Sequence, residues 1–163
     1  MKVTKYNLIL DENNRIPSLI KETAGYYPTL SKVNNSREVT QLLNTVFQAN
    51  LQTEEHGYLI ALRSNKIIGV FDMSHGGVNL AYISPREVFS RLLLSAATDF
   101  IIAHNHPSGD VKTPSKEDWN ATRQLKAASS LMNITMLDHV IVGEGSSYFS
   151  FNDATDIFSE KSK

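Results

Sequence analysis

The run "TDFIIAH" (98–104) constrains the chain most. Its apolar residues are too few for a helix, and they sit between polar ends, so they read as a buried strand. A buried strand needs neighbours, and the flanking sequence supplies them. "PSKEDWNATRQLKAASSLM" (114–132) predicts a helix with Ser115 as its N-cap, and "ITMLDHVIVG" (134–143) a second strand. "EGSS" follows as a turn and "YFSF" (148–151) as a short last strand. Upstream, "SPREVFSRLLLSAA" (84–97) opens with Ser84 as N-cap, Pro85 at the first helical position and Glu87 placed to complete a capping box.

The earlier half is legible in parts. "GYLIALRSNKIIGVFDMSHG" (57–76) predicts two strands around a turn at Ser64-Asn65, and "VNLAYI" (78–83) an edge-like third. "NSREVTQLLNTVFQANL" (35–51) predicts a helix capped by Asn35 or Ser36, with Glu38 in its first turn. Its stripe is Val39, Leu42, Leu43, Val46 and Phe47. Residues 4–10 read as a short strand and "DENN" (11–14) as a turn, while 15–34, with Pro17, Gly25 and Pro28, read as an extended, irregular lead-in that packs on the domain. Strands and helices mix without strict alternation, which predicts a mixed α/β sheet with helices packed on it. The expected organisation is a lead-in over 1–34, one domain over 35–153 and a polar tail over 154–163.

Composition narrows the chemistry. The chain has 163 residues, 41% hydrophobic and 20% charged, as an ordinary globular domain has. A net charge of −1 gives no global electrostatic attraction for nucleic acid or an anionic membrane. Without cysteine there is no disulfide, thiolate nucleophile or thiolate metal site, so any metal would rest on His, Asp or Glu. No apolar run is long enough to span a bilayer, and the first residues do not resemble a signal peptide. A cytoplasmic protein is the expectation.

His104 and His106 stand at i and i+2 at the end of the buried strand, so their side chains face the same way and can share one cation. Zinc accepts neutral imidazole, and catalytic sites commonly combine three protein ligands with one open position. Asp118, in the first turn of the following helix, is the best local third ligand, with Asp110 and Glu117 as rivals. Spacing alone leaves an ordinary polar strand end equally open. N-capping accounts for Ser115 without chemistry, and a turn accounts for Asp110.

A longer pattern narrows the choice. "AHNHPSGDVKTPSKEDWNATRQLKAAS", "MLDHVIVG" and "SFND", preceded by "EEHGYLIAL", "SHGGVN" and "SPREVFSRLLLSAA", resemble the RadC family over residues 35–153. That family is a bacterial branch of the JAMM/MPN metalloprotease-like superfamily. The resemblance implies the MPN fold, a cytidine deaminase-like α/β/α sandwich with a mixed central sheet. It implies a zinc ion (Zn2+) held by His104, His106 and Asp118, with a water in the open position. It gives Glu55, rather than its neighbour Glu54, the task of moving the proton, and Ser115 a hydrogen bond to the developing oxyanion. The activity implied is hydrolysis of a peptide or isopeptide amide in a peptide or protein substrate.

One departure bears on the metal. The loop between His106 and Asp118 has one residue more than the family pattern, and strict counting would put Glu117 at the ligand position. The intact "PS-x-x-D" unit favours Asp118, because moving a ligand by one residue turns it about 100° around the helix. His75, Ser108 and His139 are candidates for lining the cleft or supporting a ligand, and Trp119 for packing. The family's DNA-repair label and its occurrence on mobile elements imply an alternative: a module acting through nucleic acid or protein partners, with little or no catalysis. Full-length members usually carry an N-terminal helix-hairpin-helix, which residues 1–34 do not resemble. No membrane partner is expected, and monomer and homodimer both remain open.

Overall fold

The chain is described by a computed structural model covering residues 1–11, 15–27, 33–64, 66–76 and 83–159. Its elements are β1 (Lys2–Leu10), β2 (Pro17–Tyr26), α1 (Ser36–Phe47), β3 (His56–Arg63), β4 (Lys66–His75), α2 (Pro85–Leu94), β5 (Asp99–Asn105), α3 (Lys116–Met132), β6 (Thr135–Val142), β7 (Tyr148–Ser150) and α4 (Phe151–Ala154). The seven strands form one sheet in the order β2-β1-β4-β3-β5-β6-β7. β1–β4 and β5–β6 are parallel and the other pairs antiparallel, so the sheet is mixed.

Strand alternation builds the two faces. Tyr58, Ile60 and Leu62 of β3, with Ile101 and Ala103 of β5, pack against Val39, Leu42, Leu43 and Phe47 of α1. Leu59, Ala61, Phe100 and Ile102 take the other face and meet Val88, Phe89 and Leu92 of α2 and Leu125 of α3. One helix on one face and two on the other make an α/β/α sandwich, as the resemblance implied. β3 and β5 are buried on both faces, which explains their unbroken apolar runs.

Two local expectations need correction. Residues 15–34 were expected to be irregular, yet Pro17–Tyr26 form a full strand paired with β1 from Leu10↔Pro17 to Lys2↔Tyr26. β2 is an outer strand with mostly exposed side chains, so no apolar alternation marks it. Its register slips between Lys5 and Tyr6, leaving Glu22 as an extra residue beside Lys21. A bulge and charges mid-strand blunt an open sheet edge. At α2, Ser84 occupies the N-cap position but makes no side-chain cap bond, so the capping box with Glu87 does not form. Asn35 does cap α1, accepting from the Glu38 N–H at 2.9 Å. The turn at 12–14, Asn65 and most of the expected strand 78–83 lie outside the described residues.

Beyond β7 the chain stays on the domain. A 3-10 turn at Asp156–Phe158 follows α4, and Phe158 packs on the α2/α3 side under the Lys126 ammonium, 4.8 Å from its ring. Among the described residues no helix is long and apolar enough to cross a membrane.

Asp138 ties this end to β6. Its carboxylate accepts from the N–H groups of His139 (2.7 Å) and Asn152 (2.9 Å) and from the Ser150 hydroxyl (2.7 Å). Burial nevertheless pushes its pKa up to about 6, against the pull of those three bonds and with help from Asp153. A carboxyl whose folded pKa lies above its unfolded value stabilises the fold fully below the unfolded pKa. That contribution is lost as pH rises through the folded one. The wild-type advantage over Asp138→Asn, read from urea midpoints, is therefore expected to shrink between about pH 4 and about pH 6.

Candidate metal centre

β5 carries His104 near its C-terminal end, and the ladder with β6 continues just beyond the strand, where the His106 N–H donates to the Val142 carbonyl at 2.9 Å. The chain then turns. The Gly109 N–H donates to the His106 carbonyl at 2.9 Å, and Gly109 has φ of +75°. A Cβ there would meet Glu144 Cβ at 2.9 Å, so glycine is needed for both space and conformation. The loop delivers Ser115 to the start of α3.

A reciprocal cap fixes the helix start. Ser115 Oγ accepts from the Asp118 N–H at 3.1 Å, while Asp118 Oδ2 accepts from the Ser115 N–H and hydroxyl, both at 2.7 Å. This sets the rotation of α3. Asp118 is buried against β5 and Glu117 is exposed. Before the cap the loop turns at Asp110, whose Oδ1 accepts from the Lys112 N–H at 2.9 Å.

His104, His106 and Asp118 therefore converge. His104 Nε2 lies 3.1 Å from Asp118 Oδ1 and 3.1 Å from His106 Nε2, and His106 Nε2 lies 3.8 Å from Asp118 Oδ2. One ligand atom from each fits within 4.8 Å of the others, a group able to hold a metal ion.

The hydrogen bonds behind the histidines determine where their protons sit. The Thr122 hydroxyl donates to the Asp118 carbonyl at 2.6 Å, since a carbonyl only accepts. Thr122 Oγ1 also lies 2.7 Å from His139 Nδ1, so that nitrogen must be the donor. Neutral His139 then has a bare Nε2, 3.0 Å from His104 Nδ1, which must donate to it. His106 Nδ1 likewise donates to the Asp110 carbonyl at 2.7 Å. Both Nε2 lone pairs are thus aimed at the carboxylate, and a proton or a metal cation must lie among the three groups. Burial first, and then the charge that His104 carries when the shared proton sits on it, push His139 down to about 3, which keeps it neutral. Burial opposes the Asp118 charge, but the hydrogen bond and charge of that protonated His104 and the two bonds from Ser115 outweigh it. They hold that carboxyl well below the usual range.

Glu55 lies just before β3, which pairs with β5 as Gly57↔His104 and Tyr58↔Ala103. Beyond that ladder the His56 N–H donates to Asn105 Oδ1 at 2.8 Å, which holds Glu55 beside the C-terminal end of β5. Glu55 is buried and Glu54 exposed. His139 lies beneath His104, stacked on Phe151 at 5.0 Å and 8°. Trp119 packs edge-on against Phe151 at 4.9 Å. Ser108 is exposed in the turn, its hydroxyl accepting from the Asp110 N–H at 3.3 Å. The His75 backbone pairs with His56 at the end of β4, while its side chain lies outside the described residues. A cleft of about 170 Å³ opens beside His104 and Asp118, lined by Ile83, Ile102, Leu125, Glu117, Asn120 and Gln124. A larger hollow of about 550 Å³ near Asp138 and Asn35 is apart from these groups, and the donor set rather than size marks the site.

Thr122 and Asn105 are the contributors that sequence reading missed. Thr122 carried a signal, being four residues after Asp118 in a helix, where a hydroxyl can reach back to a carbonyl. Asn105 sits between the histidines but points to the opposite face by strand alternation.

A mixed-sheet α/β/α sandwich, with two histidines at the end of a central strand and a carboxylate in the first turn of the next helix, is a JAB/MPN-type domain. The RadC-like JAB domain family matches residues 33–156, and the chain belongs to that family. Similar curated proteins include a UPF0758 protein of Clostridium acetobutylicum, 39% identical over 115 residues, covering 70% of this chain and 49% of the relative. One from Alkaliphilus oremlandii is 38% identical over 128 residues (76% and 54%). Another, from Actinobacillus pleuropneumoniae, is 39% identical over 134 residues (80% and 60%). The chain thus spans about half the length of the first of these relatives.

Thr122→Val keeps the side chain's shape and removes the hydroxyl that orders His139. Affinity for a divalent metal, measured by competition with a chromophoric chelator, is expected to fall about 10- to 100-fold with the fold intact.

Proposed function

We propose that this domain is a zinc-dependent hydrolase of the JAMM type, cutting a peptide or isopeptide amide with a metal-activated water. The observation that carries this reading is the pair of Nε2 lone pairs aimed at the Asp118 carboxylate, with their proton positions set by Thr122, His139 and Asp110. Two imidazoles and a carboxylate, with no thiolate, suit a zinc site that keeps a position open. Zinc held there supplies Lewis acidity and a water acidified towards neutrality.

The chain's own groups do the rest. His139 and Thr122 hold His104 in the tautomer that leaves Nε2 free to coordinate. Glu55, buried just before β3 beside the end of β5, takes the proton of the attacking water and passes it to the leaving amine. Ser115 primarily aims Asp118, because its hydroxyl hydrogen lies on Oδ2. Donating to a developing oxyanion requires that hydroxyl to turn away from the carboxylate. Ile83, Ile102 and Leu125 give the adjoining cleft an apolar wall on which a substrate side chain can rest beside the scissile amide.

The test pairs metal content with hydrolysis of a panel of peptides and lysine-linked isopeptides. Wild type is expected to bind one zinc and cleave at least one of them. His104→Ala should lose the zinc, and Glu55→Gln should keep it while slowing cleavage about 10²- to 10⁴-fold. Protein that takes up no zinc and is indifferent to His104→Ala would overturn the reading.

A further inference from the structure

We infer that Asn105 is a positioning residue for Glu55: its carboxamide replaces missing rungs of the sheet and fixes the base relative to the two histidines. The inference rests on Glu55 acting as proton carrier. β3 begins at His56, so Glu54 and Glu55 lie beyond the last strand residue. A carboxylate on a free strand end would move with that end. Asn105 Oδ1 accepts from the His56 N–H at 2.8 Å, and Asn105 Nδ2 donates to the Glu54 carbonyl at 2.9 Å. The partners decide the orientation of the amide, because an N–H needs the oxygen and a carbonyl needs the nitrogen. Asn105 thus grips the peptide groups on both sides of Glu55. From the β4 side, the Gly76 N–H donates to the Glu55 carbonyl at 2.8 Å.

The location of the clamp matters as much as its bonds. Asn105 is 1% exposed and stands between His104 and His106 on β5, with its side chain on the opposite face by alternation. A single stretch of backbone therefore sets two would-be ligands on one side and the height of Glu55 on the other. Aspartate cannot replace it, since a carboxylate would still accept from His56 but would turn a lone pair on the Glu54 carbonyl. Alanine leaves both groups without this partner. No other side chain of this size offers a donor and an acceptor in one plane.

Three readouts on the full chain test the clamp. Hydrogen exchange at the His56 amide should accelerate about tenfold or more in Asn105→Ala, while mid-strand amides such as Ile60 keep their rates. Zinc affinity should stay within about threefold, because Asn105 touches no ligand atom. The pH midpoint of the cobalt-loaded protein's absorption should move in Asn105→Ala as it does in Glu55→Gln, with no further movement in the double variant. Asn105→Asp, nearly the same shape, guards against misfolding: it should keep the His56 protection yet move the cobalt midpoint. Unchanged His56 exchange in Asn105→Ala would overturn the clamp, and so would a shift that persists in the Glu55→Gln background. The exchange measurement needs no metal, so failure of the clamp and failure of the zinc reading are told apart.

Discussion

The pairing of β5 on both of its edges is the constraint on which the candidate site depends. Against β3 it is antiparallel, and that register sets Gly57, two residues after Glu55, across from His104. Against β6 it is parallel, and there the Ile102↔His139 pairing puts His139 where its ring reaches His104. One strand therefore collects groups that lie about fifty residues upstream and about thirty-five downstream of it. A slip by one residue on either edge would send every one of these side chains to the wrong face. The double-sided apolar burial of Phe100, Ile101, Ile102 and Ala103 holds the register against such a slip.

That pattern explains what could be read from sequence. The elements that bury a continuous face, β3, β5, β6 and the helices α1 and α3, advertise themselves by apolar runs or stripes. Their caps are local chemistry, so Asn35 and Ser115 were readable too. β2 was not, because an outer strand exposed on both sides carries no period. The unformed cap at Ser84 shows the converse: a correct residue in the correct place makes no bond when the geometry does not call for one.

Within the site, the groups that would touch a metal were legible because their spacing is short and their chemistry distinctive. The structure groups Asp118, not Glu117, with the two histidines, since the cap and the burial of α3 agree on its rotation. Of the groups behind them, His139 was already a candidate for supporting a ligand, while Thr122 and Asn105 were hidden for a physical reason. They act through hydrogen bonds across different elements, and their residue types are common in such places. No local pattern distinguishes a threonine that orders an imidazole from one that merely faces a sheet.

The shared cap at α3 has a consequence for how the site would fill. Asp118 Oδ2 closes the helix start through Ser115 while Oδ1 faces His104, so one carboxylate serves the fold and the site with different atoms. The helix start is therefore closed, and its carboxylate aimed, by bonds of the chain itself. In small metallodomains that fold only around their ion, loading and folding are one event. Here the start of α3 is closed by bonds between Ser115 and Asp118, which involve no ion, and the site uses a carboxylate that those bonds already orient.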